Sequence, residues 1–339
     1  MLDKVVMRLS GIHKIMGLLV GLDVLQAIFI IGQAYFLSRA ITGLWQGEVL
    51  STQLPAVLLF MLSYAGRHVL TYFKDECLDH FARRESSQLR KQLLGKLFEL
   101  GPHIVQEEGT GNVITMALDG IGLVENYLHL ILSKMIKMSI IPWFILAVIF
   151  YLDWESGLVL LLVFPLIIVF MIVLGFAAQA KADRQYASYQ LLSNHFLDSL
   201  RGIDTLTFFG ISKRYGKSIY RSSEAFRKAT MSSLRIGILS TFALDFFSTL
   251  SIAIVAVLLG LRLIKGEILL FPALTVLILS PEYFLPVRDF SSDYHATLDG
   301  KNAFQAIQKI LNRPSHRKAQ LELPRWSADS QLAVSYTHL

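Results

Sequence analysis

Long apolar runs alternate with charged stretches along the chain, and six of the runs meet or approach the roughly 20 residues that cross a bilayer as a helix. They cover residues 15–44, broken by Asp23 and Arg39; 54–73, broken by Arg67 and His68; 138–152, extending back towards 124; 156–180, without a charge; 236–261 around Asp245; and 268–287 around Glu282. The connections at 45–53, 153–155 and 262–267 are short, whereas 74–123 and 181–235 run to about fifty residues each. Within 74–100 the apolar residues Leu78, Phe81, Leu89, Leu93, Leu97 and Leu100 recur at helical spacing with no proline among them. The second span is therefore expected to continue as one helix for about 40 Å beyond the bilayer, up to Gly101-Pro102. Residues 110–120, flanked by glycines on both sides, read as a small helix lying across the end of a hairpin. The second long segment repeats the plan: 181–209 prolongs the fourth span, 210–216 turns, and 218–233 returns. The pattern predicts an all-α membrane protein with six transmembrane helices, two long helical hairpins on one side, and both termini on that same side.

Composition strengthens this reading. Hydrophobic residues make up 53% of the 339 and charged residues 17%, against roughly 25% charged in soluble domains, which argues against a water-soluble globule. Of the 32 Lys and Arg residues, 28 fall in the N-terminal arm, the two long segments with the first counted through Lys137, and the tail from Arg288. The positive-inside rule then puts the hairpins and both termini in the cytoplasm. This spread explains the formal charge of +6 by topology and gives no support to nucleic-acid binding. The N-terminal residues 1–14 are basic and amphipathic with no cleavage pattern near them, so the first span is read as retained. The lone Cys77 excludes an internal disulfide and a Cys-rich zinc site. With His80 it makes too few ligands for a metal.

Ionisable side chains inside spans cost about 2.5–3.5 kcal/mol on insertion scales and are functional candidates by default. Asp23, Arg67, His68 and Asp245 are the candidates for a substrate cavity. Facing a cavity, Arg67 and His68 suit the carboxylate of a thiol compound or a haem propionate, and a neutral His suits iron. The competing reading is structural: Arg67 neutralises Asp23 or Asp245 across helices, with His68 packed beside it. Near the sixth span, Pro281, Glu282, Pro286 and Arg288, with Asp289, form a candidate gate, because each proline frees a backbone carbonyl and bends its helix. The alternative is a plain kink with a snorkelling rim.

Several stretches carry a family resemblance. Thr230-Met231, Leu234-Arg235-Ile236, Leu239-Ser240, Leu244-Asp245-Phe246-Phe247, Ser251-Ile252-Ala253 and Val255-Ala256-Val257 belong to one cluster. Residues 281–289, reading Pro-Glu-Tyr-Phe-Leu-Pro-Val-Arg-Asp, and 195–202, followed by Thr205-Leu206 and Phe209-Gly210, complete it. Together with the six-span plan, they resemble the transmembrane half of ABC exporters of the CydD/CydC type, over about residues 1–312 and closer to the CydD-like subunit. The resemblance implies a heterodimer with a CydC-like half-transporter in a bacterial plasma membrane, needed for cytochrome bd assembly and associated with export of cysteine and glutathione and with haem. It also implies coupling helices at 111–119 and 211–218. These would present Asn112, Thr115 and Asp119, and Lys213 and Arg214, to nucleotide-binding domains. Anionic lipid is the alternative contact for the basic pair.

One departure from the family is large: the sequence contains neither a Gly-x-x-x-x-Gly-Lys-Ser/Thr phosphate loop nor a Leu-Ser-Gly-Gly-Gln signature. No catalytic residue is assigned, and no cofactor is expected on this chain. ATP and Mg²⁺ are expected for a nucleotide-binding domain. The stretch 313–339 reads as the linker to it, with 331–339 as the start of its first strand, and a truncated gene product is the expected explanation. Two other functions stand beside thiol or haem export: an ABC exporter of peptide, lipid or drug, and a non-catalytic membrane assembly protein.

Overall fold

The computed structural model describes residues 6–9, 11–102, 104, 107 and 109–314; the expected linker from 315 onward lies outside them. Nine helices carry the described architecture. They are α1 (Ile12–Trp45), α2 (Leu50–Leu100), α3 (Thr110–Thr115), α4 (Ile121–Leu152), α5 (Trp154–Arg201), α6 (Ile203–Phe208), α7 (Ser212–Ile264), α8 (Leu270–Ser292) and α9 (Tyr294–Leu311). A 3-10 turn at Val6–Arg8 precedes them. Six of the helices are long and apolar enough to cross a membrane, and they contain the six expected runs except Ile268 and Leu269, which precede α8. Large apolar side chains such as Leu58, Leu62, Leu162, Phe176 and Val257 stand exposed around the outside, the surface that a hydrocarbon solvent calls for.

The helices divide into two packing groups. Helices α1, α2, α4, α8 and α9 supply most of the core, in which Leu19, Leu78, Tyr127, Ile145, Val276, Phe284, Phe290 and Phe304 are all but fully buried, and α5 and α7 add Leu160, Ile167 and Val255 to it. Helices α5 and α7 pair along their length, joining the rest chiefly through α4 and α8. At 48 and 53 residues each of these two is over 70 Å long, more than twice the roughly 30 Å hydrocarbon layer. Helix α8 is the most enclosed span: 50% of its apolar window is buried, against 11% to 33% in the other five.

Both hairpin ends differ from expectation. At the first, residues 110–120 do not stand apart as a cross-helix. Helix α3 runs through one π-turn, Met116–Gly120, into α4, and Gly120 takes ordinary helical angles (φ −59°, ψ −36°). A glycine costs a helix about 1 kcal/mol without forbidding it, so the flanking glycines are poor boundaries. At the second end the short helix is α6, and residues 211–218 are not a separate element. Gly202 (φ −98°, ψ 14°) interrupts the expected continuous run 181–209, Gly210 turns the chain at φ +66°, and α7 begins at Ser212. Lys213 and Arg214 consequently sit on the first turn of α7. Gly216 is accommodated within that helix.

Helix α9 closes against α4 by backbone contact. A Cβ placed on Gly300 would lie 2.4 Å from the Leu123 carbonyl oxygen and 2.3 Å from the Tyr127 Cβ, so only glycine permits this approach. Gly300→Ala is expected to cost about 1–3 kcal/mol through overpacking, lowering the melting temperature in detergent and opening α9 to protease. Gly260→Ala, whose Cβ would meet nothing within 4 Å among the described residues, is expected to lower neither the melting temperature nor the protease resistance, and to raise stability slightly by helix propensity.

Candidate functional site

The ionisable groups of the spans gather into cross-helix pairs, and α8 supplies most of them. Glu282 and Asp289 are seven residues apart, so they lie on nearly the same face of α8. Oε1 and Oε2 of Glu282 accept from Nη1 and Nη2 of Arg67 on α2 at 2.7 and 2.9 Å, the two-pronged geometry that suits a guanidinium to a carboxylate. Asp289 accepts from Lys137 of α4 at 3.3 Å. Lys134, one turn earlier on α4, lies 3.1 Å from Asp293 at the C-terminal cap of α8. Arg288 turns the other way and holds Asp245 of α7 at 2.7 Å, with both side chains over a third exposed.

A second buried pair joins the first two spans. Asp23 of α1 is fully buried and accepts from the Lys74 ammonium at 2.9 Å, while Lys74 itself is 3% exposed. The Oδ2 atom of Asp23 has no hydrogen-bond partner among the described residues. Close by, Gln26 donates to Thr71 at 3.2 Å and Thr71 donates to the Arg67 carbonyl. A polar seam therefore runs along the α1–α2 contact and meets the Arg67–Glu282 pair.

These distances revise the pairings drawn from the sequence. Arg67 is neutralised by Glu282, so neither Asp23 nor Asp245 is its partner. His68 is not packed beside it: about 100° further round the helix, it is exposed and meets the Tyr64 ring at a centroid distance of 4.5 Å. Arg67 and Asp245, taken as cavity candidates, are tied to the gate candidates Glu282 and Arg288. Helix α8 continues through both Pro281 and Pro286. Sequence reasoning missed Lys74, Lys134 and Lys137 because they counted as cytoplasmic charge. For Lys74 a signal was present: it lies seven residues after Arg67, on the same face of the same helix. His80 faces Glu76 at 3.1 Å, an exposed pair separate from Cys77. Of the hairpin-tip candidates, Thr115, Asp119, Lys213 and Arg214 are exposed, and the side chain of Asn112 lies outside the described residues.

Between the α5–α7 pair and the α8–α9 segment opens a cleft of about 970 Å³. Asp245 lines it, together with Tyr186, Phe242 and the paired rings of Tyr189 and Phe226. The Asp245–Arg288 pair thus connects the cleft wall to α8.

At the opposite end a clasp joins two of the short connections. Arg262, near the end of α7, reaches Asp153 at 2.5 Å, Glu155 at 3.4 Å and Glu267 at 3.7 Å. Asp153 also caps α5, accepting from the Ser156 amide and hydroxyl. Burial by itself would push the Asp153 carboxyl up, but the hydrogen bonds from Ser156 and Arg262 outweigh it and hold the group below the usual carboxylate range.

Comparison with known proteins places these pairs in context. A family model for the ABC transporter transmembrane region matches residues 16–285. The chain is 48% identical over 335 residues to the glutathione/L-cysteine transport system ATP-binding/permease protein CydC of Bacillus subtilis, a match covering 98% of this chain and 59% of that protein. It is 33% identical over 309 residues to the transport ATP-binding protein AarD of Providencia stuartii, covering 88% and 52%. To the glutathione/L-cysteine transport protein CydD of Escherichia coli it is 32% identical over 318 residues, covering 91% and 53%. The chain spans between half and three-fifths of the length of these relatives, and both subunit names occur among them.

Two outcomes check the charge arrangement. Lys74→Ala leaves Asp23 buried without its counter-charge and is expected to cost about 3–5 kcal/mol, read as lost membrane-inserted yield, whereas the double change Asp23→Asn, Lys74→Met is expected to recover most of it. For the clasp, Asp153 has a depressed folded-state pKa. Its contribution is complete above the unfolded value of about 3.9 and disappears as pH falls through the lower folded value. The melting temperature of Asp153→Asn is therefore expected to lose part of the acid dependence shown by the parent.

Proposed function

Because the chain belongs to the ABC transporter transmembrane region family, we propose that it forms the membrane-spanning part of an ATP-driven exporter of small thiol compounds. The substrate class rests on one observation, the 48% identity to a protein named for glutathione and L-cysteine transport. In this reading residues 1–312 are the transmembrane domain and 313–339 lead towards a nucleotide-binding domain. ATP and Mg²⁺ belong to that domain. The protein sits in a bacterial plasma membrane, with the hairpin tips and both termini in the cytoplasm, and pairs with a homologous half-transporter. Assembly of cytochrome bd oxidase is the role that the resemblance attaches to such export.

Physical features of the chain support the reading. An exporter must alternate between two packings, and the long α5–α7 pair is joined to the remaining helices through few elements, α8 foremost. Moving α8 past α2 or α7 breaks Arg67–Glu282 or Asp245–Arg288, so these pairs are suited to latch one state. A carboxylate-bearing solute competes with Glu282 for Arg67, which gives the solute a means of releasing the latch. At the second hairpin tip Phe208 and Phe209 are 89% and 70% exposed, far beyond the bilayer, and bare rings in water fit a docked protein surface. The nucleotide-binding domains are the proposed occupants, with Thr115 and Asp119 at the first tip beside them.

Transport of labelled glutathione or cysteine into inverted vesicles, measured with the full-length protein and its partner, tests the assignment. Arg67→Gln made together with Glu282→Gln, which leaves no charge unpaired, is expected to lower ATP-dependent uptake at least tenfold while inserted yield stays level, and the swap Arg67→Glu with Glu282→Arg is expected to retain part of the uptake. Yield falling in step with uptake would make Arg67 a structural residue only. Cysteine cross-links from Asp119 or Phe208 to the nucleotide-binding domains are expected in the assembled protein; their absence would refute the docking assignment.

A further inference from the structure

A second, smaller pocket of about 580 Å³ opens where α1, α2 and α8 meet, at the end carrying the short connections. Its floor is apolar, made by Phe36, Leu59 and Phe271. Its walls hold an opposed pair of charges, Arg39 and Glu48, with Thr42 and Gln53 between them. The narrow contact of α1 with α2 creates this arrangement: a Cβ on Gly43 would lie 2.3 Å from Gln53 Nε2, so the glycine lets the Gln53 amide press against α1 and donate to Glu48.

Three observations distinguish the pocket from an incidental surface groove. Arg39 and Glu48 are both exposed at the pocket wall, and Arg39 makes no ion pair among the described residues, which leaves its guanidinium available to a ligand. Thr42 is 8% exposed and its Oγ1 has no hydrogen-bond partner among the described residues, a loss that a polar ligand would repair once the side chain turns towards the pocket. Gln53, 6% exposed, is held in place by Glu48, so the polar wall is pre-organised. A simple anion would be drawn by Arg39 and repelled by Glu48, and a simple cation the reverse. A molecule carrying both charges satisfies the two together.

We propose that this pocket binds a small zwitterion, with Arg39 taking its anionic group, Glu48 its ammonium, and Thr42 a further polar atom. Two sources have this chemistry, a soluble amino acid or short peptide and the ethanolamine headgroup of a phospholipid. The site is independent of the exporter assignment: it is read by binding, and its failure would leave the Arg67 uptake result untouched.

The full chain in phosphatidylcholine nanodiscs is titrated with glutathione by calorimetry, and the lipid retained by protein purified from membranes rich in phosphatidylethanolamine is identified by mass spectrometry. The parent is expected to bind glutathione or to retain phosphatidylethanolamine selectively, the responding arm naming the source. Arg39→Gln and Glu48→Gln are each expected to weaken that response at least tenfold, while Arg39→Lys stays within a few-fold and unfolding temperatures are unchanged. If Arg39→Gln does not fold, Glu48→Gln carries the test. Binding of neither probe by the parent, or binding within twofold of the parent by Glu48→Gln or by folded Arg39→Gln, overturns the proposal.

Discussion

An ionised side chain inside a hydrocarbon layer must find its counter-charge within the protein, and in this chain that requirement converges on α8. Glu282, Arg288 and Asp289 reach α2, α7 and α4 in turn. The Arg67–Glu282 and Lys137–Asp289 pairs are partly shielded from solvent, which makes them more expensive to open than the exposed Asp245–Arg288 pair. The most enclosed of the six spans is thus also the one whose charges specify its neighbours. Apolar packing alone discriminates poorly between helices in lipid, since hydrocarbon offers much the same contact as a leucine.

The consequence is a structure with one firm part and one loosely attached part. Helices α1, α2, α4 and α9 are held to α8 or to one another by buried side chains, the Asp23–Lys74 pair and the close approach at Gly300. Helices α5 and α7 hold mainly each other. Where they touch α8 the ionic contact, Asp245–Arg288, is half open to the cleft, and at the opposite end the Arg262 clasp fastens them to the short connections.

Function follows from this mechanics only in outline. Alternating access needs two packings of comparable energy, and exchangeable ion pairs at α8 supply a means of choosing between them. The pairing of Arg67 with Glu282 uses the geometry by which a guanidinium recognises any carboxylate, so under the proposed function a substrate carrying that group would address the latch itself. Under the proposed function, energy from nucleotide would enter at the far ends of the hairpins, some tens of Å away, and travel along their long helices.

Much of the architecture was legible in the order of residues. Apolar run lengths gave the number of spans, because bilayer thickness sets a length that composition displays directly. The helical spacing from Leu78 to Leu100 foretold that α2 leaves the membrane unbroken. The hairpin ends were less legible: Gly120 and Gly216 lie within helices while Gly202 and Gly210 interrupt them, and a glycine's backbone preference does not declare which it will do. The partners were least legible of all. Asp23, Arg67 and Asp245 are visible in the sequence as charges that need neutralising, but whether Lys74, Glu282 or Arg288 answers them depends on helix rotation and depth. Sequence by itself determines that a charge in a span must be compensated, since the cost belongs to the residue and its solvent. Only the tertiary structure decides by which group, since that depends on the packing angles of helices far apart in the chain.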